Sequence, residues 1–264
     1  MFKSIFRLIV LIVLLAACSD IERDNLLDPK NPDSFSETPI LIEAFVNSSF
    51  SYDSTAIEAL NQIENDYSGD ISFEIVEYHR THDSAPIGYD PYEQTVFTTF
   101  QDQYVGAYTE SKAVPDIFVN GTQGRVRGAS DDNSVYNRLA PIISGLSAQQ
   151  SNYAIEVEIE TSGQILDIDY RIARLGNKSE ADVELNIIFV KNYGTNYYKR
   201  VAKGIRYPAK VINKIESGEY SEGNINVDDY ASVPYINLPD YAIFTITKQG
   251  SITVLKTLKK EILW

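Results

Sequence analysis

The sequence predicts an α/β unit followed by an all-β unit, and two patterns carry this prediction. Between residues 40 and 149, short apolar runs alternate with stretches whose apolar residues recur at helical spacing. After Ser151 the period becomes two, with charged residues between apolar ones, which is typical of antiparallel strands with one exposed face. We therefore expect one domain over residues 40–149 and a second, an Ig-like antiparallel β-sandwich, over residues 150–264.

The first unit is predicted to contain strand, helix, strand, helix, two strands and a helix. Its first strand is the apolar run Ile40–Val46, and a capping-box pattern predicts that the first helix begins at Thr55–Glu58. A right-handed crossover through this helix makes the flanking strands parallel. Asn120-Gly121 predicts a tight turn between two antiparallel strands. The other elements are expected at 71–78, 92–107, 114–121, 124–128 and 131–146, the last helix being interrupted near Pro141.

The second unit shows apolar–charged alternation in three successive segments. Ile155, Val157 and Ile159, for example, alternate with glutamates. This pattern predicts half-exposed strands in a sheet with one charged face. The alternating segments are 155–159, 166–172 and 183–189, and further strands are expected near 196–205, 240–247 and 251–256.

The N-terminus has the features of an export signal. Lys3 and Arg7 precede an apolar stretch that ends at Ala17, and this stretch is about half of the roughly 20 residues that a spanning helix needs. Cys18, the only cysteine in the chain, follows Leu15-Ala16-Ala17. This motif resembles the lipobox of bacterial lipoproteins, which implies cleavage before Cys18 and acylation of its thiol and amine. The alternative is an ordinary secretory signal followed by a chance cysteine.

Residues 1–17 are therefore predicted to be a signal peptide and residues 18–39 a flexible tether, because the latter are polar and contain several prolines. Acyl chains on Cys18 would make the membrane a partner through a lipid anchor. The residue after Cys18 is Ser19, and the acidic run that follows is similar to export signals of Bacteroidetes-type lipoproteins. This similarity implies the bacterial outer membrane, with the body periplasmic or surface-facing.

Charge and cysteine content exclude a nucleic-acid partner and an internal disulfide. The formal net charge is −14 at pH 7, and loss of Lys3 and Arg7 with the signal makes the body more negative. Phosphate backbones demand clustered cations, so we expect no nucleic-acid partner. With one cysteine, the chain forms no internal disulfide.

The predicted order β-α-β-α-β-β-α, with Pro115 leading into the third strand, resembles the thioredoxin fold. The chain also resembles a narrower family, the Omp28-related, thioredoxin-like outer-membrane lipoproteins, which add a β-rich C-terminal domain. The stretches that carry this resemblance are Ile40–Phe45, Glu77–His79, Asp90–Tyr92 and Val114–Gly121.

This resemblance implies a redox-inactive domain. Redox-active relatives carry C-x-x-C at the start of the first helix, and the matching positions here are Phe50-Ser51-Tyr52-Asp53. Thiol–disulfide exchange requires a thiolate, so that activity is excluded. Asp53 is expected to cap the helix at the positive end of its dipole.

The resemblance also implies a former substrate groove. Pro115 matches the proline that is cis in thioredoxins, and the backbone of the preceding residue, here Val114, pairs with an extended peptide in relatives. Phe50 and Tyr52 would form apolar walls for a peptide added to this edge. The alternative is a retained scaffold whose groove binds nothing.

The only two histidines lie in His79-Arg80-Thr81-His82-Asp83. Imidazoles beside a carboxylate are candidate metal ligands, but His79 and His82 lack the i, i+4 register of zinc-binding helices. We therefore expect polar loop residues here, and no metal or cofactor. The sequence also contains no G-x-S-x-G motif and no Gly-Lys-Ser/Thr phosphate loop.

Together these patterns predict a membrane-anchored bacterial lipoprotein that acts as a binding or scaffold module for a protein or peptide partner and is not an enzyme. Two alternatives stay open. One is an envelope enzyme with a non-thiol site near His79 and His82. The other is a surface protein that contacts carbohydrate through some of its 18 tyrosines.

Overall fold

A computed structural model gives the fold, and it describes residues 28, 30–31, 33–82, 90–129, 132–146, 149–176, 182–195 and 198–264. The described part of the chain is mostly β, with mixed and antiparallel sheets. In its first half the elements are β1 (Ser36–Glu37), β2 (Ile40–Val46), α1 (Ser51–Tyr67), β3 (Phe73–His79), α2 (Thr95–Val105), β4 (Asp116–Val119), β5 (Gly124–Arg127) and α3 (Asp132–Gly145).

The predicted order of strands and helices in residues 40–145 is confirmed. Strands β2 and β3 are parallel, whereas β4 pairs antiparallel with both β2 and β5. The turn between β4 and β5 has positive φ at Asn120 (44°) and Gly121 (70°), as the Asn-Gly pair predicts. The Val114–Pro115 peptide bond is cis.

In the described part of the second half, eight strands and one short 3₁₀-helix follow. Strand β11 was not among the predicted strands, because its sequence is largely polar and it lies at a sheet edge, bonded to β8. The elements are β6 (Gln150–Ser151), β7 (Tyr153–Ser162), β8 (Ile165–Arg174), β9 (Val183–Lys191), β10 (Val201–Ile212), β11 (Tyr220–Val227), the 3₁₀-helix Tyr235–Asn237, β12 (Tyr241–Lys248) and β13 (Val254–Glu261).

One eight-stranded sheet contains strands from both sides of residue 150. Its order is β13-β12-β9-β10-β3-β2-β4-β5. The two halves meet where β10 pairs parallel with β3 at Val201 and Glu77, and the Glu77 amide donates to the Arg200 carbonyl at 2.8 Å. The segments predicted as two domains therefore share a sheet, joined by a short ladder.

A second sheet of three strands, β11-β8-β7, packs against one face of the large sheet, giving a sandwich-like pair of layers. Inward residues of β7 and β8, such as Ile155 and Ile168, meet Leu185, Ile187 and Phe244 of the large sheet. The prediction that the 183–189 segment is half-exposed is wrong. Strand β9 is buried on both faces because its alternate residues, Ile188 and Val190, pack on the α2 side.

The helices cover the other part of the large sheet. Helices α1 and α3 pack on one face, against Ile40, Ile42 and Ala44. Helix α2 packs on the opposite face, where Phe97, Phe100 and Tyr104 surround Phe45. The two ends of β2 therefore lie at opposite ends of this layered region.

Two boundaries differ from the predictions. Helix α1 begins at Ser51, four residues before the capping-box pattern, and Thr55 instead donates its hydroxyl to the Ser51 carbonyl within the helix. The tether predicted over 18–39 is ordered at its end, because β1 pairs with β6 and Ser36 Oγ donates to the Tyr153 carbonyl at 2.6 Å. Backbone pairing, which apolar periodicity does not report, orders this polar segment.

Candidate functional site

The candidate site lies where β2 and β3 end and α1 begins, which we call the carboxyl edge (residues 46–53, 79–82 and 90–94). Val46 and His79 are partners in the parallel ladder. Phe50 is the N-cap residue of α1, and no side chain caps that helix. Strand ends and a helix N-terminus thus meet over a small area, the arrangement at which α/β folds commonly bind ligands.

His79 is buried at the centre of this edge, in contrast to the polar loop position predicted for it. It is the last residue of β3 and has no exposed surface. Its Nδ1 lies 2.7 Å from Asp90 Oδ2, and its Nε2 lies 3.7 Å from Glu77 Oε2. Burial lowers the pKa of His79, but the hydrogen bond with Asp90 and the contact with Glu77 outweigh it and raise the pKa to about 9.

The two carboxylates beside His79 are held by further donors. Asp90 accepts the amides of Ser48 at 2.8 Å and Tyr92 at 3.0 Å. Burial raises the pKa of Asp90, but the His79 contact outweighs it and the net shift is downward. Glu77 Oε1 accepts two hydrogen bonds from Arg200, at 2.7 and 3.0 Å, and the net shift of its pKa is also downward, against the effect of burial.

Arg200 connects this network to α1. Besides Glu77 of β3, it donates to Glu64 at 2.9 Å and to Asn61 at 2.8 Å. Arg200, Glu77, His79 and Asp90 form an alternating series of positive and negative side chains that we call the His79 network. Because His79 is sealed inside it, this imidazole has no access to an external substrate.

Asp53 is the unpaired acid of the carboxyl edge. It lies in the first turn of α1, fully buried, and neither carboxylate oxygen has a hydrogen-bond partner of ordinary geometry among the described residues. Burial raises its pKa to about 8, although the Asn47 backbone and the charge of His79 offset part of this increase. The expectation that Asp53 caps the helix is therefore wrong, because its carboxyl group points into the protein interior.

The four predicted groove residues lie at this same end of the sheet. Asp116 pairs with Phe45 in the antiparallel ladder, which places Val114 and Pro115 beside the end of β2. Pro115 is buried and Val114 half-buried. Phe50 packs edge-on against His82 at 4.9 Å between ring centroids, and Tyr52 is 54% exposed.

A group of tyrosines next to the His79 network was not predicted from the sequence. The rings of Tyr92 and Tyr193 stack at 4.2 Å, and Tyr198 meets Tyr92 edge-on at 4.8 Å. Lys203 donates to the Tyr193 hydroxyl at 3.0 Å and lies 5.7 Å from both stacked rings. We call Tyr92, Tyr193, Tyr198 and Lys203 the tyrosine cluster.

The tyrosine cluster is fixed to its surroundings on two sides. The Tyr198 hydroxyl donates to Ser48 Oγ at 3.1 Å, and the Tyr198 ring lies 5.5 Å from that of His79. Beyond Tyr193, the 3₁₀-helix exposes Tyr235 and Ile236, at 66% and 76%. Half-buried aromatic rings, a cation and exposed apolar side chains at one edge suit binding better than bond-breaking chemistry.

Three further predictions concern metals and membranes. Cys18 lies outside the described residues, as does most of the predicted signal and tether. In the part of the chain that the structure describes, His, Cys, Asp and Glu side chains form no group of three or more suited to a metal ion. Within the same residues, every helix is too short or too polar to span a bilayer.

Comparison with known proteins shows the fold alone. No family model and no curated protein matches the chain. HBP35 of Porphyromonas gingivalis is similar in structure, with a TM-score of 0.60, 7% sequence identity, and coverage of 86% of this chain and 76% of that chain. Protein AGR_C_4864 from Agrobacterium tumefaciens has a TM-score of 0.52 and 14% identity over 87% of this chain and 98% of its own. Both likenesses extend over both halves of the large sheet.

Proposed function

We propose that this protein is a binding module of the bacterial cell envelope, with a thioredoxin-like unit that has lost its redox chemistry. One observation carries the proposal. The N-terminus of α1, beside the ends of β2 and β3, presents Phe50 and a buried Asp53 where redox-active relatives hold thiols. The partner is a protein or peptide that binds at the carboxyl edge, over Phe50, Tyr52 and the tyrosine cluster.

The membrane attachment in this proposal rests on the lipobox-like Leu15-Ala16-Ala17-Cys18. Acylated Cys18 anchors the chain in the outer membrane, where the tether holds the body off the bilayer. Cys18→Ser is expected to abolish labelling by radioactive palmitate and release the protein from the membrane fraction. Retained labelling in that variant contradicts the anchor while leaving the binding proposal to be tested separately.

Site-specific photo-crosslinking in the native envelope tests the binding proposal. A photoreactive amino acid is placed at Tyr52, which is exposed in the carboxyl edge, or at Tyr235, which is exposed on the 3₁₀-helix beside the tyrosine cluster. Either position is expected to capture a discrete partner identified by mass spectrometry. Tyr220 is the matched control, because it is similarly exposed (56%) but lies on β11 of the small sheet. Equal capture at Tyr220, or none at Tyr52 and Tyr235, contradicts a binding surface at this edge.

Insulin reduction separates this function from a hidden oxidoreductase. The protein is expected to show no turnover above background, because the body contains no thiol once Cys18 is acylated. Turnover that survives Cys18→Ser overturns the proposal.

One observation favours a second candidate, a carbohydrate-contacting protein. The stacked Tyr92 and Tyr193 rings with Lys203 beside them offer aromatic and hydrogen-bonding surface to a sugar. A glycan array tests this directly. Glycan binding lost on Tyr193→Ala but kept on Tyr220→Ala supports carbohydrate contact over a peptide partner.

A further inference from the structure

A separate cavity lies at the opposite end of β2 from the carboxyl edge. Its volume is about 190 Å³, smaller than the roughly 300–1,000 Å³ typical of sites for drug-sized ligands. It lies where the approach to β2 meets the β4–β5 turn, the start of β7, the end of β8 and the start of β13. The lining residues are Thr38, Pro39, Asn120, Gln123, Gln149–Tyr153, Arg174 and Thr253–Leu255.

Arg174 is the unusual member of this lining. It is 1% exposed, and its Nη2 is buried with no hydrogen-bond partner in the described part of the chain. Nη1 makes one long hydrogen bond, 3.4 Å, to the Asn152 carbonyl. No carboxylate of the described residues forms a salt bridge with Arg174, although burying a charge without a partner is strongly unfavourable.

The hydrogen bonds of Arg174 within the described residues leave part of its donor capacity unused. The central carbon of the guanidinium lies over the Tyr153 ring, 4.8 Å from the ring centroid. The in-plane N–H groups are the ones that form paired hydrogen bonds with planar carboxylates. All other lining residues are neutral, and most are amides or hydroxyls.

From this geometry we infer that the cavity is a binding site for a small monocarboxylate, held by Arg174. One cation in a neutral lining matches one negative charge, which favours a carboxylate over a doubly charged phosphate. The amides and hydroxyls of Gln123, Asn152 and Thr253 supply donors and acceptors for the rest of a short ligand. The cavity is distinct from the carboxyl edge, so this site is independent of the proposed partner binding.

Titration of the purified full chain with acetate, propionate and N-acetylglycine tests the inference, with acetamide and inorganic phosphate as comparators. Carboxylates are expected to bind at millimolar concentration or below and to raise Tm, whereas acetamide leaves Tm unchanged and phosphate binds more weakly. Isotope-labelled arginine allows NMR to report whether the Arg174 guanidinium signals shift during the carboxylate titration. Absence of saturable carboxylate binding, or tighter binding of phosphate, overturns the inference.

Two pairs of variants locate the site. Arg174→Met is expected to abolish binding, whereas Arg171→Met, on the exposed side of the same strand, keeps it. Gln123→Glu adds a negative charge to the lining while retaining an oxygen for the Asn120 hydrogen bond (2.8 Å), and is expected to weaken binding about tenfold. Gln103→Glu, exposed on α2, controls for net charge and is expected to bind normally.

These variants keep the inference falsifiable if Arg174→Met does not fold. In that case the affinity of Gln123→Glu and the NMR titration of the unsubstituted protein test the site. Gln123→Glu is expected to fold, because Gln123 is exposed and glutamate is nearly isosteric with glutamine. Unchanged affinity in Gln123→Glu together with static Arg174 signals contradicts a site in this cavity.

Discussion

Two buried cationic side chains at opposite ends of β2 have different surroundings. His79 lies between Asp90 and Glu77, and Glu77 is in turn bonded to Arg200. The Arg174 guanidinium lies 4.8 Å from the centroid of the Tyr153 ring, and no carboxylate of the described residues forms a salt bridge with it. A charge whose partners belong to the same chain contributes to the architecture, whereas a buried charge without one indicates a ligand from outside.

Breaking the His79 network is expected to have the largest effect. Arg200→Met leaves Glu77 buried without its strongest partner, which typically costs about 3–5 kcal/mol in the free energy of unfolding. Urea denaturation at pH 7 measures the change. Arg171→Met removes an exposed ion pair with Glu222 and is expected to cost about 1 kcal/mol or less; similar losses in both variants would show that the network contributes little.

Asp53→Asn is expected to stabilise the protein at alkaline pH. The pKa of Asp53 is raised to about 8 in the folded state, above its unfolded value of about 4. The unfolded chain therefore loses this proton first, and wild-type stability falls as the pH rises from about 4 to about 8.

The neutral amide removes this dependence, giving a gain of several kcal/mol at pH 8 and little at pH 4. Urea denaturation of both proteins across this range measures the difference. Asp33→Asn, in the polar segment before β1, is the control and is expected to follow the wild type. A constant offset between Asp53→Asn and the wild type at every pH contradicts a raised pKa.

His79 is expected to add a second pH dependence in a different window. Its pKa of about 9 in the folded state exceeds the unfolded value of about 6.5, so its contribution is complete below pH 6.5 and is lost as the pH rises through 9. In the Asp53→Asn background we expect a fall of about 3 kcal/mol over this window. Urea denaturation is expected to show that His79→Gln removes this fall in stability and that His82→Gln keeps it. The reverse result would show that His79 does not cause the fall.

The smallest effect on stability is expected for Arg174→Met without added ligand. Arg174 is a buried cation without a carboxylate partner among the described residues. Replacing it by an apolar side chain relieves its desolvation, which offsets the lost contact with Tyr153, so the free energy of unfolding should change by about 1 kcal/mol or less. Urea denaturation in carboxylate-free buffer measures this. A loss as large as that of Arg200→Met would make Arg174 a structural cation, and the contrast between the two edges would disappear.

The strands and helices of residues 40–145 were predictable because their signals are local. Ile40–Val46 is a continuous apolar run, and Asn120-Gly121 is a turn that depends on two adjacent residues. Strand β11 was not predicted, because its stability comes from pairing with β8. The start of α1 was predicted four residues too late, because the fold does not use the capping-box pattern at Thr55.

The candidate site was only partly predictable. The position of Phe50 and Tyr52 in the site followed from a resemblance. The role of Asp53 did not, because sequence does not show whether a carboxyl group faces solvent or the interior. Tyr92 and Tyr193 belong to segments about a hundred residues apart, and nothing in either segment indicates that their rings stack.

The sequence by itself determined the alternation of strands and helices in the first half, the period-two strands of the second, and the restriction of cysteine to position 18. These depend on residue type and short-range spacing. Only the tertiary structure decided that one sheet joins the two halves, that His79 is enclosed and that Arg174 has no counter-ion among the described residues. Burial and charge pairing arise from contacts between distant segments, and such contacts exist only once the chain has folded.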